Sequence, residues 1–149
     1  MIRVGIIGAT GYAGQELVRL LAGHREAEIV WYGSKNQTDR EYSRIFQNLF
    51  QIADDKCRDE DMAALASIAD VIFTATPQGY CASAVTEEIL GKAKVIDLSA
   101  DFRLKDPHVY SQWYGMEHRG SAFLGEAVYG LCEWNRELNR SARLTGNPG

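Results

Sequence analysis

The stretch IRVGIIGATGYAG, residues 2–14, joins an apolar run to three glycines spaced three residues apart. Residues 2–7 are rich in Ile and Val, which predicts a strand, and the residues after the loop carry apolar side chains at helical spacing. A strand, a glycine turn and a helix in this order are typical of dinucleotide-binding loops. We predict that Gly8 permits the tight turn, Gly11 lets the backbone approach a diphosphate, and Gly14 allows close helix packing.

The first helix is predicted to begin in this loop and to bury one face. Ala13, Leu17, Leu20 and Leu21 are spaced i, i+4, i+7 and i+8, which predicts the face against the sheet. The free N–H groups and positive dipole at the start of a helix attract phosphate. The loop residues expected to contact a cofactor are Gly8, Thr10, Gly11, Tyr12, Ala13 and Gly14.

The rest of the chain alternates apolar runs with helical patterns, which predicts βαβ units and a parallel sheet. Near-continuous Val and Ile runs are typical of strands covered on both faces. The sequence therefore predicts one doubly wound α/β domain of the Rossmann type over residues 1–149. Further strands are predicted at 27–33, 70–76, 94–100 and 143–146, and helices at 59–68, 81–91, 106–115 and 135–142, while 38–50 is compatible with a helix.

Composition excludes several classes of function. The chain has 149 residues, is 46% hydrophobic and 24% charged, and carries a net charge of −4. An acidic balance without a basic run argues against a nucleic-acid partner or membrane docking. Cys57, Cys81 and Cys132 show no C-x-x-C spacing, so we predict no metal site and reduced thiols in a cytoplasmic protein. Cys81 stands near a predicted helix start, where a reactive thiol is possible in principle but an inert, buried residue is favoured.

The end of the second strand bears on cofactor choice. An NAD site usually places Asp or Glu there to bind the ribose hydroxyls. Ser34 and Lys35 stand there instead, and no carboxylate occurs before Asp39. These two side chains could donate hydrogen bonds and positive charge to a 2′-phosphate. We therefore predict NADP rather than NAD, with a solvated loop lysine as the alternative for Lys35.

Two later strands also end in polar residues, on the edge of the sheet where ligands of doubly wound folds lie. Pro77, Gln78 and Gly79 follow the strand at 70–76, and Ser99 follows the next, so all four are candidate cofactor contacts. Arg103 is a candidate clamp for an anionic substrate, because its guanidinium matches phosphate or carboxylate. The alternatives are plain turn chemistry around Pro77 and a structural salt bridge between Asp101 and Arg103.

Several motifs in order resemble one enzyme family. They are GATGYAG (8–14), VIDLSADFRL (95–104), WYG with EH (113–118), EAVYGL-x-E-x-NR (126–136) and GNPG (146–149). The chain thereby resembles the N-acetyl-γ-glutamyl-phosphate reductases, NADPH-dependent acyl-phosphate reductases of arginine biosynthesis, over residues 2–149. It departs from the family pattern at Cys132, where a proline is common.

The resemblance implies that cofactor binding and catalysis are carried by different parts of the family's proteins. In the family, GNPG is followed at once by the nucleophilic cysteine, and a second domain carries the catalytic histidine and binds substrate. We therefore expect no catalytic residue in this chain, which would be the cofactor-binding part and inactive alone. Arg103 and Asn147 are the implied substrate-binding residues. His118 matches a family position, with a structural or surface role favoured.

The implied reaction begins when the thiolate attacks N-acetylglutamyl phosphate and expels phosphate. NADPH then reduces the thioester to N-acetylglutamate semialdehyde. The implied partners are a small-molecule substrate and further copies of the intact enzyme. The alternatives are a relative of aspartate-semialdehyde dehydrogenase, which the DLSADFRL run argues against, a lysine-pathway aminoadipyl-phosphate reductase, and a non-catalytic NADP-binding module.

Overall fold

A parallel sheet of seven strands organises the chain, and the computed structural model describes all of residues 1–149. The strand order is β3-β2-β1-β4-β5-β7-β6, and every neighbouring pair is parallel. The strands are β1 Ile2–Ile7, β2 Ala27–Gly33, β3 Cys57–Arg58, β4 Val71–Thr74, β5 Lys94–Asp97, β6 Val128–Tyr129 and β7 Leu144–Gly146. The chain moves outward from β1 on one side and then on the other, which confirms the doubly wound prediction.

Seven α-helices connect these strands, and none is long and apolar enough to cross a membrane. Single turns of 3₁₀-helix occupy Gln47–Leu49 and Ser121–Phe123. The α-helices are α1 Tyr12–Ala22, α2 Tyr42–Ile45, α3 Met62–Ala66, α4 Tyr80–Ala84, α5 Glu87–Lys92, α6 Pro107–Tyr114 and α7 Cys132–Ser141.

The single helix predicted for residues 81–91 is wrong, because two short helices occupy this stretch. Val85 has an extended backbone, with φ −67° and ψ 135°. Thr86 then caps the next helix, and its side chain accepts a hydrogen bond from the Ile89 N–H. Gly91, predicted to lie past the helix end, is inside α5. Thr86 is therefore the N-cap of a second helix, although the apolar pattern continues across it.

The sheet is covered on both faces, as predicted. Neighbouring residues of one strand point to opposite faces, and they fall into two separate apolar clusters here. Ile7 and Trp31 belong to the larger cluster of 18 buried residues, which also contains Leu65. Ile6 and Tyr32 belong to the smaller cluster of nine. The two clusters therefore pack against the two faces of the sheet.

The predicted buried face of α1 is displaced by one residue. Gly14 and Val18 are buried, and the predicted Leu17 and Leu21 are partly buried and pack against the core, whereas Ala13 and Leu20 are exposed. The cause is the close approach of the helix to the loop, since a Cβ at Gly14 would lie 2.2 Å from the Gly8 carbonyl oxygen. Glycine does not contribute to a pattern of apolar residues, so the predicted buried face was centred on Ala13 instead of Gly14.

Candidate dinucleotide site

A groove of about 680 Å³ lies where β1, β2 and β4 end. The strand order reverses between β1 and β4, which is the switch point where doubly wound folds bind ligands. The groove is lined by Gly8, Gly11, Lys35, Glu60, Ala75, Thr76, Pro77, Gln78 and Tyr80. The structure therefore brings the glycine loop, the end of the second strand and the Pro77 turn to one site.

Two glycines of the loop are required by the fold itself. Gly8 has a φ of +77°, in the left-handed region that favours glycine, and a Cβ there would lie 2.3 Å from the Ala75 carbonyl oxygen. A Cβ at Gly14 would lie 2.2 Å from the Gly8 carbonyl oxygen and 2.7 Å from the Cα atom of Ala9. Both contacts are with backbone atoms, which cannot move aside cheaply.

Gly11 is different, because no protein group requires glycine there. Its backbone is ordinary, with φ −78° and ψ 170°, and the nearest atom to a Cβ would be the Gly8 carbonyl oxygen at 3.5 Å. Gly11 nevertheless lines the groove. A side chain at this position would project into free space that a ligand can use, so the observed cradle fits a diphosphate held close to the backbone.

The start of α1 offers donors to such a ligand. The backbone N–H groups of Tyr12, Ala13 and Gly14 have no hydrogen-bond partner within the chain. No side chain caps the helix at Gly11 either. Free N–H groups at a helix N-terminus favour phosphate. Tyr12 and Ala13 are therefore suited to contribute main-chain donors, and the Tyr12 side chain is 96% exposed.

Ser34 and Lys35, at the end of the second strand, differ in burial and in access to the groove. Ser34 is 2% exposed, and its hydroxyl lies 2.8 Å from the Thr10 hydroxyl, so these side chains tie the strand end to the glycine loop. Lys35 is exposed, lines the groove and forms no salt bridge. Its charge is therefore available to a phosphate, whereas the Ser34 hydroxyl already has a partner.

The loop after β4 supplies the facing wall of the groove. Pro77 and Gln78 line it, and Gly79 follows with a φ of +88°. Thr76 also lines the groove, and its hydroxyl oxygen is buried without a hydrogen-bond partner in the chain. Gln78, predicted together with Pro77, lines the groove. Sequence reasoning missed Glu60, Thr76 and Tyr80 as groove residues; for Thr76, adjacency to Pro77 was an available signal.

Ser99 does not line the groove. Its hydroxyl donates to the Asp97 carboxylate at 2.7 Å and accepts a hydrogen bond from the Asp101 N–H at 3.2 Å. Asp97 is fully buried and also accepts a hydrogen bond from the Thr74 hydroxyl at 2.7 Å. Burial raises the pKa of the Asp97 carboxyl above its usual range. A cofactor contact through Ser99 stays a prediction.

The Arg103 side chain donates hydrogen bonds to backbone carbonyls rather than to the Asp101 carboxylate. Its Nε donates to the Asn147 carbonyl at 2.7 Å and its Nη2 to the Leu98 carbonyl at 2.9 Å. The alternative of a structural Asp101–Arg103 salt bridge is therefore wrong. Asn147 in turn donates its N–H to the Asp97 carbonyl at 2.8 Å. The ends of β5 and β7 are joined here, outside the groove, and a substrate role for Arg103 and Asn147 stays a prediction.

The other candidates have structural explanations. Cys81 is fully buried, and burial raises the pKa of its thiol well above the usual range, so the inert interpretation is confirmed. His118 is 5% exposed and its Nε2 lies 2.6 Å from the Asp101 carbonyl oxygen, which makes it structural. Cys132 is exposed, as its place at the start of α7 permits.

The fold and groove together define the class of a doubly wound dinucleotide-binding domain. The chain belongs to the semialdehyde dehydrogenase family, whose NAD-binding-domain model matches residues 3–142. Two solved aspartate-semialdehyde dehydrogenases share the fold. The one from Francisella tularensis has a TM-score of 0.65 at 14% identity, over all of this chain and 36% of that one. The one from Candida albicans, solved with NADP, has a TM-score of 0.53 at 18% identity, over 72% and 32%.

Curated relatives are more similar in sequence. A protein of Lachnoclostridium phytofermentans named N-acetyl-gamma-glutamyl-phosphate reductase is 63% identical over all 149 residues of this chain. One of Lachnospira eligens with the same name is 61% identical over the full chain. The chain spans 43% of the length of each of these relatives.

Proposed function

We propose that this chain is the NADP(H)-binding domain of an enzyme that reduces N-acetylglutamyl 5-phosphate to N-acetylglutamate 5-semialdehyde and phosphate. The observation that carries the proposal is identity of 61% or more, over the whole chain, with two reductases of that name. The groove at the switch point supports the cofactor part of the proposal independently. A catalytic domain that supplies nucleophile and base belongs to the same proposal.

Within this domain, each group has a binding task. The free N–H groups at the start of α1 would hold the diphosphate, and Gly11 leaves room for it. Lys35 would pair with the 2′-phosphate, which favours NADP over NAD. NADPH, when bound, supplies the hydride. Thr76 and Pro77 would exclude water from the opposite wall of the groove.

Arg103 and Asn147 would act on the substrate side of the site. Arg103 keeps Nη1 without a hydrogen-bond partner while its other nitrogens hold Leu98 and Asn147. An anionic substrate could use this remaining donor, because guanidinium groups bind phosphate and carboxylate well. The hydrogen bond to the Asn147 carbonyl also fixes the turn at Asn147–Gly149, so Arg103 would both position this turn and bind the substrate.

The proposal extends to a cytoplasmic, homo-oligomeric enzyme, as the family resemblance implies. Three large apolar side chains on α6 and α7 are exposed in this domain and are candidates for contacts in the intact protein. Trp134 is 84% exposed, Trp113 is 78% exposed and Leu138 is 59% exposed. Aromatic residues such as Trp are enriched at protein–protein interfaces relative to the rest of the surface.

A chimaera tests the proposal. This chain replaces the matching segment of the Lachnoclostridium phytofermentans relative, and oxidation of NADPH is followed with N-acetylglutamyl phosphate. We expect turnover by the chimaera and none by the chain alone. A folded chimaera that binds NADPH but never turns over contradicts the proposal, as does acyl-phosphate-dependent oxidation by the isolated chain. The unsubstituted relative is the control.

A further inference from the structure

A buried carboxylate organises the loop that forms one wall of the groove. Asp101 is fully buried, and it forms no salt bridge with any cation. It accepts hydrogen bonds from the Gly79 N–H at 2.8 Å and the Ala82 N–H at 3.0 Å. It also accepts one from the Tyr110 hydroxyl at 2.8 Å. Asp101 thereby fixes the turn in which Gly79 has its positive φ.

The hydroxyl of Tyr110 extends this network to Gln78. Tyr110 is fully buried, and burial raises its pKa to about 12, so the hydroxyl keeps its proton at neutral pH. That single proton is donated to Asp101, because a carboxylate can only accept. The oxygen of Tyr110 therefore accepts from Gln78, whose Nε2 lies 3.3 Å away.

The direction of the Gln78 amide follows from this arrangement. Amide nitrogen and oxygen are assigned from the hydrogen-bond network. Tyr110 has no proton left to donate, so the NH₂ end of Gln78 must face it. The Oε1 atom is then left as an acceptor with no partner in the chain. Gln78 lines both the dinucleotide groove and an adjoining polar cavity of about 330 Å³.

The free Oε1 atom of Gln78 can pair only with those parts of a dinucleotide that donate a hydrogen bond. The diphosphate carries no proton to donate at neutral pH, so it gains nothing from Oε1. The ribose hydroxyls and the carboxamide of the nicotinamide are donors. The adenine amino group is also a donor, but with the 2′-phosphate at Lys35 the adenine lies on the β2 side of the diphosphate, whereas Gln78 follows β4 on the other side. A buried network that presets one side chain lowers the entropy cost of binding, because the amide need not be ordered by the ligand.

We propose that Gln78 accepts a hydrogen bond from a non-phosphate donor of bound NADP(H), a ribose hydroxyl or the carboxamide. Tyr110 and Asp101 are positioning residues that act through Gln78. The assignment rests on the proposed function, since it needs a dinucleotide in the groove.

The test is a double-mutant cycle on NADP⁺ binding, measured by calorimetry. Gln78→Met keeps the length of the side chain but removes its polar atoms, and we expect affinity to fall about 3- to 10-fold. Tyr110→Phe frees the amide and lowers affinity by a smaller factor. In the Gln78→Met background, Tyr110→Phe should change affinity no further, because its effect passes through Gln78. Gln112→Met, at an exposed position on α6, is the matched control and should bind normally.

A second ligand distinguishes the two donors. ADP-ribose 2′-phosphate keeps both riboses but lacks the nicotinamide. If the carboxamide is the donor, Gln78→Met and the unsubstituted chain bind this ligand equally; if a ribose hydroxyl is the donor, the loss persists. Thermal unfolding verifies that each variant is folded during titration. Should Tyr110→Phe fail to fold, the single Gln78→Met titration still decides the assignment.

The NADP⁺ titrations distinguish a failure of the role assigned to Gln78 from a failure of the proposed function. Equal binding of NADP⁺ by Gln78→Met and the unsubstituted chain overturns the assignment alone. Fully additive losses in the double variant overturn the positioning role of Tyr110. If the unsubstituted chain does not bind NADP⁺ at all, the proposed function fails and takes the assignment with it.

Discussion

Replacement of Gly11 by alanine should separate binding from folding. The nearest atom to a Cβ at Gly11 lies 3.5 Å away, an ordinary van der Waals distance, and the backbone there suits any residue. Alanine at a helix N-cap costs about 0.5–1 kcal/mol relative to glycine. Reduced entropy of the unfolded chain returns about 0.4–1 kcal/mol. The two effects nearly cancel, so the free energy of unfolding should change by less than about 0.5 kcal/mol.

Binding should respond differently, because the new methyl group enters the groove. Forcing an extra carbon against a closely held group costs about 1–3 kcal/mol, which corresponds to a loss of roughly 5- to 150-fold in NADP⁺ affinity. Calorimetric titration gives the affinity, and urea unfolding monitored by circular dichroism gives the stability. The same two measurements on one protein preparation keep the comparison free of differences in folding.

Gly14→Ala is the matched control for the same loop. Its methyl group would lie 2.2 Å from the Gly8 carbonyl oxygen and 2.7 Å from the Ala9 Cα atom, so the backbone must shift. We expect destabilisation of about 2–3 kcal/mol or more. The reasoning is refuted if Gly11→Ala binds NADP⁺ within twofold of the unsubstituted chain, or if Gly11→Ala destabilises the fold as much as Gly14→Ala.

Three further predictions concern charge and thiol chemistry. Lys35→Ala should lower NADP⁺ affinity about tenfold and leave NAD⁺ affinity unchanged, as parallel titrations will measure; equal losses for both would contradict the role of Lys35. The Arg3 side chain and N–H, bonded to Asp70, lower the pKa of that carboxyl to about 2. Because this pKa lies below the unfolded value of about 3.9, its contribution to stability is present above pH 4 and disappears toward pH 2. Asp70→Asn should therefore flatten the loss of stability in urea unfolding between pH 4 and pH 2, and an unchanged slope would count against the pair. One thiol, Cys132, should react rapidly with a disulfide reagent in the native state, since the two other cysteines are buried with raised pKa values; a fast reaction that persists in Cys132→Ser would refute this.

The sequence was informative wherever one local pattern decided the outcome. The glycine spacing at residues 8–14 predicted the turn, the helix start and the groove, because the strand, the turn and the helix follow one another within a few residues. Strands β3 and β6 were missed, since two residues are too few for a periodic pattern. The helix break at Thr86 was hidden by apolar residues that continue across it.

In the candidate site, the sequence likewise predicted the place of a side chain only where a local pattern determines it. Lys35 could be placed from its position after a strand, because parallel strands end at one edge of the sheet. Arg103 could not, since its partners, the carbonyls of Leu98 and Asn147, are set by how two distant strands pair. The orientation of Gln78 depends on Tyr110, 32 residues away, and no local pattern carries that contact.

The most direct test of the account is a map of amide chemical shifts while this chain is titrated with NADP⁺. The account predicts the largest changes at the glycine loop 8–14, at Lys35 and in the turn 75–78, with a weaker response at Lys35 to NAD⁺. Changes centred elsewhere on the surface, or no change at saturating NADP⁺, would contradict the assignment of the groove as a dinucleotide site.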